Sequence, residues 1–211
     1  MAALFTFEHV VVETDGGRIL DGIDALVADR GVTALAGPSG SGKSTMLRLC
    51  NRLEVPTEGR VLYRGDNVAG LDPLRLRRSV GMVFQRPTLF AGTVRDNLEV
   101  AEPGLSEERC AAALDRVGLD RRFLDRVGDE LSGGEAQRAC LARTLVTEPE
   151  VLLMDEVTSS LDDASGQVLE RLARELAESG VPILWVSHDR DQIERIADEM
   201  ILLERGRVVS P

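Results

Sequence analysis

Short apolar runs and amphipathic stretches take turns along this chain. Val32–Ala36 and Val80–Phe84 have the length and composition of strands, as do Val151–Met154 and Ile183–Val186, which are apolar throughout, the pattern of strands buried on both faces. Phe5–Val12 predicts an extended segment that ends in a turn at Asp15-Gly16-Gly17. Arg60–Tyr63 predicts another strand, bounded by Gly59 and Gly65, and two short strands flank Arg205-Gly206 near the end. Helical spacing appears between them. A helix is expected from Ser44 to about Leu53. Val168, Leu169, Leu172, Ala173 and Leu176 form the inner stripe of another. Cys110, Leu114 and Val117 repeat at helical spacing behind Ser106, a good N-cap, and Gly118 ends that run.

Strands alternating with helices predict an α/β fold around a mostly parallel sheet. The stretch from about Arg86 to Leu145 differs. It carries two helical patterns and no strand, so it reads as a helical subdomain inserted into a single domain, 1–211, whose core is 1–85 and 146–211.

Composition narrows the function classes. The 211 residues carry 25 basic and 36 acidic side chains, a net charge of −11. So acidic a chain is a poor partner for nucleic acid or an anionic lipid surface. Cys50, Cys110 and Cys140 are widely spaced and odd in number, which argues for small core residues rather than a disulfide framework or a zinc site. No secretory leader opens the chain, and no run approaches the roughly 20 apolar residues that span a bilayer. The expectation is a soluble, cytosolic protein without direct membrane insertion, acting on any membrane process through a partner.

The segment Gly37-Pro38-Ser39-Gly40-Ser41-Gly42-Lys43-Ser44-Thr45 matches G-x-x-x-x-G-K-[ST], with a predicted strand before it and a helix after it. Glycines permit turns that aim successive N–H groups inward around an anion, and the helix N-terminus adds its positive dipole end. Lys43 then reaches the terminal phosphates of a nucleotide, and the Ser44 hydroxyl ligates Mg²⁺. Farther on, the strand Val151–Met154 runs into Asp155 and Glu156. Ligands of open α/β sheets sit at such strand ends. Asp155 is placed to hold Mg²⁺ through water, and Glu156 to accept a proton from an attacking water.

Leu131-Ser132-Gly133-Gly134-Glu135 is more specific. Ser132 and Glu135 form a capping box. The box leaves unexplained two glycines that cost a helix up to about 1 kcal/mol each relative to Ala. Bare glycines at a helix start suit the close approach of an anion. With this segment the sequence resembles the ABC ATPases, whose signature reads LSGGQ or LSGGE. The likeness runs along essentially the whole chain and keeps the order of motifs: Gln85 at the Q-loop, Ser159-Ser160-Leu161-Asp162 at the D-loop, Trp185-Val186-Ser187-His188-Asp189 at the switch histidine.

That resemblance implies a RecA-like P-loop core with a small antiparallel β region at its N-terminal side. It implies ATP and Mg²⁺ as ligands, and two copies packed head to tail as a homodimer, each ATP lying between the phosphate loop of one and Ser132, Gly133 and Gly134 of the other. Gln85 then touches Mg²⁺ and the attacking water, His188 supports Glu156 at the γ-phosphate, and Asp162 couples the two sites. One position departs from the family pattern: Thr14 stands where an adenine-stacking aromatic is usual.

Among ABC proteins the pattern fits the ATPase subunit of a transporter, working on the cytoplasmic face of a membrane with a separate permease. Repair and chromosome ATPases split their halves with coiled coils, and no heptad run is present; translation factors carry two such domains. The chain is expected to lack a C-terminal regulatory extension, ending at Pro211. Phe84–Phe90 and Gly92–Leu98 lie where the family docks its permease, with Leu89 and Phe90 lining that groove. Pro87–Phe90 and Leu184–Asp189 look most like subunits of iron export or phosphate transport.

Overall fold

The structure is a computed structural model that describes residues 3–159 and 161–209. Its first strands, β1 (Ala3–Thr14) and β2 (Gly17–Ala28), form a hairpin across the tight turn at Asp15-Gly16. Strand β3 (Val32–Ala36) leads into α1 (Lys43–Cys50). Then come β4 (Glu58–Tyr63), β5 (Asp66–Asn67), α2 (Pro73–Ser79) and β6 (Val80–Val83). Three helices follow: α3 (Val94–Ala101), α4 (Glu107–Arg116) and α5 (Gly133–Leu145). The chain returns through β7 (Val151–Asp155), α6 (Asp163–Glu178), β8 (Ile183–Val186), α7 (Arg190–Ile196), β9 (Glu199–Glu204) and β10 (Arg207–Val209).

Two sheets result. One is antiparallel, ordered β2-β1-β4-β5; the other is ordered β10-β9-β3-β8-β7-β6 and is parallel except for β10. Strand β7 shows how the layers form. Side chains alternate across a strand, so Val151 and Leu153 face α1 and the antiparallel sheet, while Leu152 and Met154 face α3–α6. Helix α1 is thus sandwiched between the two sheets through Met46, Leu47 and Leu49. On the other face, Leu98 of α3, Leu114 of α4 and Leu141 of α5 share one core with Leu152, Met154 and Trp185. The helical stretch therefore packs against the sheet and not around a centre of its own. Cys50, Cys110 and Cys140 are buried free thiols, as small core residues should be.

Several local expectations need correcting. Helix α1 stops at Cys50, short of Leu53, because Asn51 leaves the helical region and Arg52 takes φ 58°. Gly59 does not bound a strand but lies inside β4 at φ 75°, where a Cβ would come within 2.3 Å of the His9 carbonyl oxygen. It sits at the bulge that shifts the β1–β4 register between Glu8 and Val11. Strand β6 ends at Val83, one residue early. The apolar–polar pattern predicts neither strand β2 nor helix α2. The β1–β2 ladder is broken by register shifts that blur its alternation; α2 is short, polar and set by Asp72, whose side chain accepts from Arg75 N with Pro73 next in line. The middle holds three helices where the pattern shows two. Of the D-loop expectation, Ser160 lies outside the described residues.

Candidate functional site

The phosphate loop is built by backbone constraints. Gly37, Gly40 and Gly42 have φ of 140°, 76° and 102°. A Cβ on Gly37 would lie 2.1 Å from the Leu203 carbonyl oxygen, and one on Gly42 2.5 Å from Leu20 Cδ2, so only glycine fits at either. Pro38, Ser39 and Gly40 form the exposed rim; Ser41, Gly42 and Lys43 are buried, and Ser44 and Thr45 half-buried. A second turn braces the loop from below: Gly206 N donates to the Ser41 carbonyl, Asp21 N donates to the Gly206 carbonyl, and Arg207 pairs with Asp21.

Helix α1 starts on Gly42 with no side-chain cap, leaving its first turn open to an external acceptor. Lys43 Nζ donates to the carbonyls of Gly37 (2.8 Å) and Pro38 (2.9 Å), so the loop holds its own cation at its mouth. The Ser41 hydroxyl oxygen is buried and has no hydrogen-bond partner among the described residues. These features fit a bound polyphosphate.

The acidic strand end lies beside the loop. Ser44 Oγ donates to Asp155 Oδ1 at 2.8 Å, across 111 positions of sequence. Burial pushes the Asp155 carboxyl up, against the Ser44 hydrogen bond and the attraction of Arg48, whose guanidinium lies 3.9 Å away. A hydroxyl and a carboxylate are hard oxygen donors suited to Mg²⁺. Among the described residues no group of three or more His, Cys, Asp or Glu could hold a metal by itself. A cation between Ser44 and Asp155 would complete its shell with phosphate and water oxygens.

Glu156 follows at φ 45°, a left-handed conformation that costs a non-glycine residue of order 1–3 kcal/mol. Its N–H donates to the Val186 carbonyl at the end of β8. Gln85, just past β6, donates from Nε2 to Glu156 Oε2 at 3.0 Å and reaches Ser159 Oγ at 3.4 Å. His188 Nδ1 lies 3.5 Å from the same Glu156 oxygen, with the imidazole 62% exposed and the carboxylate 19%. Lys43, Ser44, Asp155, Glu156, Gln85 and His188 therefore gather at the C-terminal ends of the parallel strands.

Other predicted residues stand apart. Ser132 caps α5 in a reciprocal box: Glu135 N donates to Ser132 Oγ, and Ser132 N to Glu135 Oε2, which holds the Glu135 carboxyl below the ordinary range. A side chain on Gly134 would meet Leu161 and Ser165, while one on Gly133 would enter open space. Asp162 caps α6, accepting from Ser165 N and Oγ, which lower its carboxyl. Among the described residues of one copy, the hydrogen bonds of Ser132 and Asp162 do not reach the phosphate loop. Thr14 is exposed at the hairpin tip, its hydroxyl donating to the Gly17 carbonyl.

Two buried glutamines escaped the sequence reading. Gln137 of α5 donates to the Phe84 carbonyl at 2.8 Å, directly before Gln85. Gln192 of α7 bonds Trp185, Thr158 and Glu170. The available signal was a polar residue at a core-facing helical position: Gln137 is four residues before Leu141, and Gln192 four before Ile196.

The chain is similar to known proteins. The family model described as "ABC transporter" matches residues 20–159. ABC transporter I family member 17 of Arabidopsis thaliana is 43% identical over 203 residues, covering 94% of this chain and 77% of that protein. The phosphate import ATP-binding protein PstB of Saccharolobus solfataricus is 35% identical, covering 98% and 86%. Among solved structures, a dimeric ATP-binding cassette in a post-hydrolysis state with ADP and Pi superimposes with a TM-score of 0.88 at 29% identity, covering 98% of this chain and 97% of that one. The chain belongs to the ABC transporter family, as an ATP-binding and ATP-hydrolysing subunit.

Proposed function

We propose that this subunit hydrolyses Mg·ATP at composite sites formed by two copies of itself, and that the cycle drives a separate membrane permease. The convergence of Ser44, Asp155, Glu156, Gln85 and His188 around one patch beside the phosphate loop carries this reading. Lys43 and the loop N–H groups hold the β- and γ-phosphates. Ser44, Asp155 and Gln85 would hold Mg²⁺, which would supply charge to draw electrons from the phosphate oxygens. Glu156 takes the proton of the water that attacks the γ-phosphorus. The bond from that phosphorus to the bridging oxygen breaks, and ADP carries away the electrons. Gln85 and His188, both on Glu156 Oε2, fix that carboxylate toward the water.

The second half of each site is Ser132, Gly133 and Gly134 of the other copy, supported by the open space in front of Gly133. Asp162, beside Gly134 through Ser165, is the residue placed to link the two sites. Residues 86–145 act as the inserted unit that meets the permease on the cytoplasmic face of the membrane. Phe90 suits that contact: it is 52% exposed, its ring lies 4.8 Å under the Arg143 guanidinium, and Asn97 clamps its backbone. Leu89 is half-buried and packs against the edge of the core instead. Among the described residues no helix is long and apolar enough to cross a membrane. Cargo selection then rests with the permease, and phosphate transport is the cargo class suggested by PstB.

The test is recovery of the tagged chain from its native membrane. An integral membrane protein that stimulates ATP hydrolysis by the chain is expected to come with it. Full hydrolysis whose specific activity is independent of protein concentration, with no membrane partner, would overturn both the paired site and the transporter role.

A further inference from the structure

Helix α7 carries a buried glutamine for which the site as described has no use. Gln192 is 4% exposed, and every polar valence of its amide is engaged. Oε1 accepts from Trp185 Nε1 at 3.2 Å, and Nε2 donates to Glu170 Oε1 at 2.9 Å. An indole N–H only donates and a carboxylate only accepts, so these two partners fix which way the amide points. The Thr158 hydroxyl lies within 3.2 Å of Oε1 and 3.0 Å of Nε2. Arg195 closes the far side by forking onto both oxygens of Glu170, whose carboxyl these donors lower against its burial.

The partners give the arrangement its direction. Thr158 is two residues after Glu156. Trp185 is three residues before His188, wholly buried in β8. Asp189, next to His188, caps α7 by accepting from Gln192 N, while its own N–H donates to Ser187 Oγ. The two catalytic segments also meet through backbone, Glu156 N to Val186 O. That bond fixes where Glu156 leaves the sheet, but not how the turn beyond it lies. Glu156 itself sits at φ 45°, a conformation that persists only where its surroundings hold it.

We propose that Gln192 is a positioning residue, a latch that ties the turn after Glu156 to the strand end carrying His188, so that carboxylate and imidazole keep one mutual geometry at the γ-phosphate. This rests on the assignment of Glu156 given above. A latch of this kind acts on turnover and not on nucleotide binding, because among the described residues its hydrogen bonds run within the cluster and not to the phosphate loop.

Steady-state hydrolysis and thermal melting of the full chain test it, with the variants Gln192→Leu, Thr158→Val and their combination, beside Glu156→Gln. Gln192→Leu is expected to lower kcat about tenfold and leave the KM for ATP within about twofold, the mark of a misplaced catalytic group. Thr158→Val should lower kcat in the same sense with little change in Tm. The double variant should be no slower than Gln192→Leu, since both cut one connection. A fall in Tm with kcat unchanged, or losses that multiply in the double variant, would overturn the latch. Should Gln192→Leu fail to fold, Thr158→Val decides alone: reduced kcat at unchanged KM supports the latch and wild-type kcat overturns it. Normal turnover by Glu156→Gln would remove the assignment of Glu156 and the latch with it. An inactive Glu156→Gln beside wild-type rates in the other variants would remove the latch only.

Discussion

Helices α1 and α5 both begin on glycine-rich turns, and they begin differently. Helix α1 has no side-chain cap, a lysine drawn back over its own loop and a buried serine hydroxyl without a partner among the described residues. Helix α5 is closed by the Ser132–Glu135 box. The first start is a cradle shaped for an anion. The second has its Glu135 and Ser132 N–H groups taken by the box and offers an open face at Gly133. In the composite site proposed above, one half is then built to bind and the other to dock. On that reading the capping box holds the docking half in shape before its partner arrives, while the binding half leaves its first turn uncapped for the acceptors a nucleotide brings.

The sharpest way to break this contrast is to remove chemistry from the binding half while keeping its shape. Glu156→Gln is expected to lower kcat by about 10²–10⁴ while ATP still binds, because it deletes the proton acceptor and preserves the volume. Phosphate release measures the loss, and size exclusion with Mg·ATP should show a trapped dimer. Normal turnover would end the assignment.

An assault on the docking half should act differently. Ser132→Arg is expected to leave nucleotide affinity in the monomer unchanged and to cut hydrolysis about 100-fold, by filling the open space that a second copy needs. Equal losses of binding and hydrolysis, read by nucleotide titration beside turnover, would mean the two helix starts belong to one site within one chain.

Smaller effects sharpen the contrast in stability. Asp155→Asn removes a carboxylate that burial disfavours in its charged form. In EDTA without nucleotide it should raise stability by about 1 kcal/mol, roughly 2–4 °C in Tm, while impairing Mg-dependent hydrolysis. Glu135→Ala should do the reverse at the other helix, costing about 1 kcal/mol of cap energy. The Glu135 carboxyl is held low by Ser132, so its contribution is complete above the unfolded carboxyl pKa of about 4.3 and fades as pH falls through the folded value. The gap in Tm between wild type and Glu135→Ala should therefore close on acidification. A constant gap would show that the box is not electrostatic.

Much of the binding half was legible because its chemistry is contiguous. Gly37–Thr45 carries strand, loop and helix start within one stretch, and glycine is demanded by local backbone geometry. The strand end at Asp155 and Glu156 was legible for the same reason. The β1–β2 hairpin was half missed because its register shifts break the period of two on which strand reading depends. Leu89 and Phe90 look alike in sequence; packing sets one half-buried against the core and leaves the other exposed beneath Arg143.

Sequence by itself determined the α/β alternation, the phosphate loop, the acidic strand end and the capping box, since each follows from neighbouring residues or a fixed helical or strand period. Tertiary structure decided what meets across long separations: Ser44 on Asp155, Gln85 and His188 on one oxygen of Glu156, the Arg205-Gly206 turn under Ser41, and Gln192 between Thr158 and Trp185. The reason is physical. A hydrogen bond between side chains 71 or 111 positions apart has no local signature, because the order of strands in the sheet brings its ends together, and that order is set by how the whole core packs.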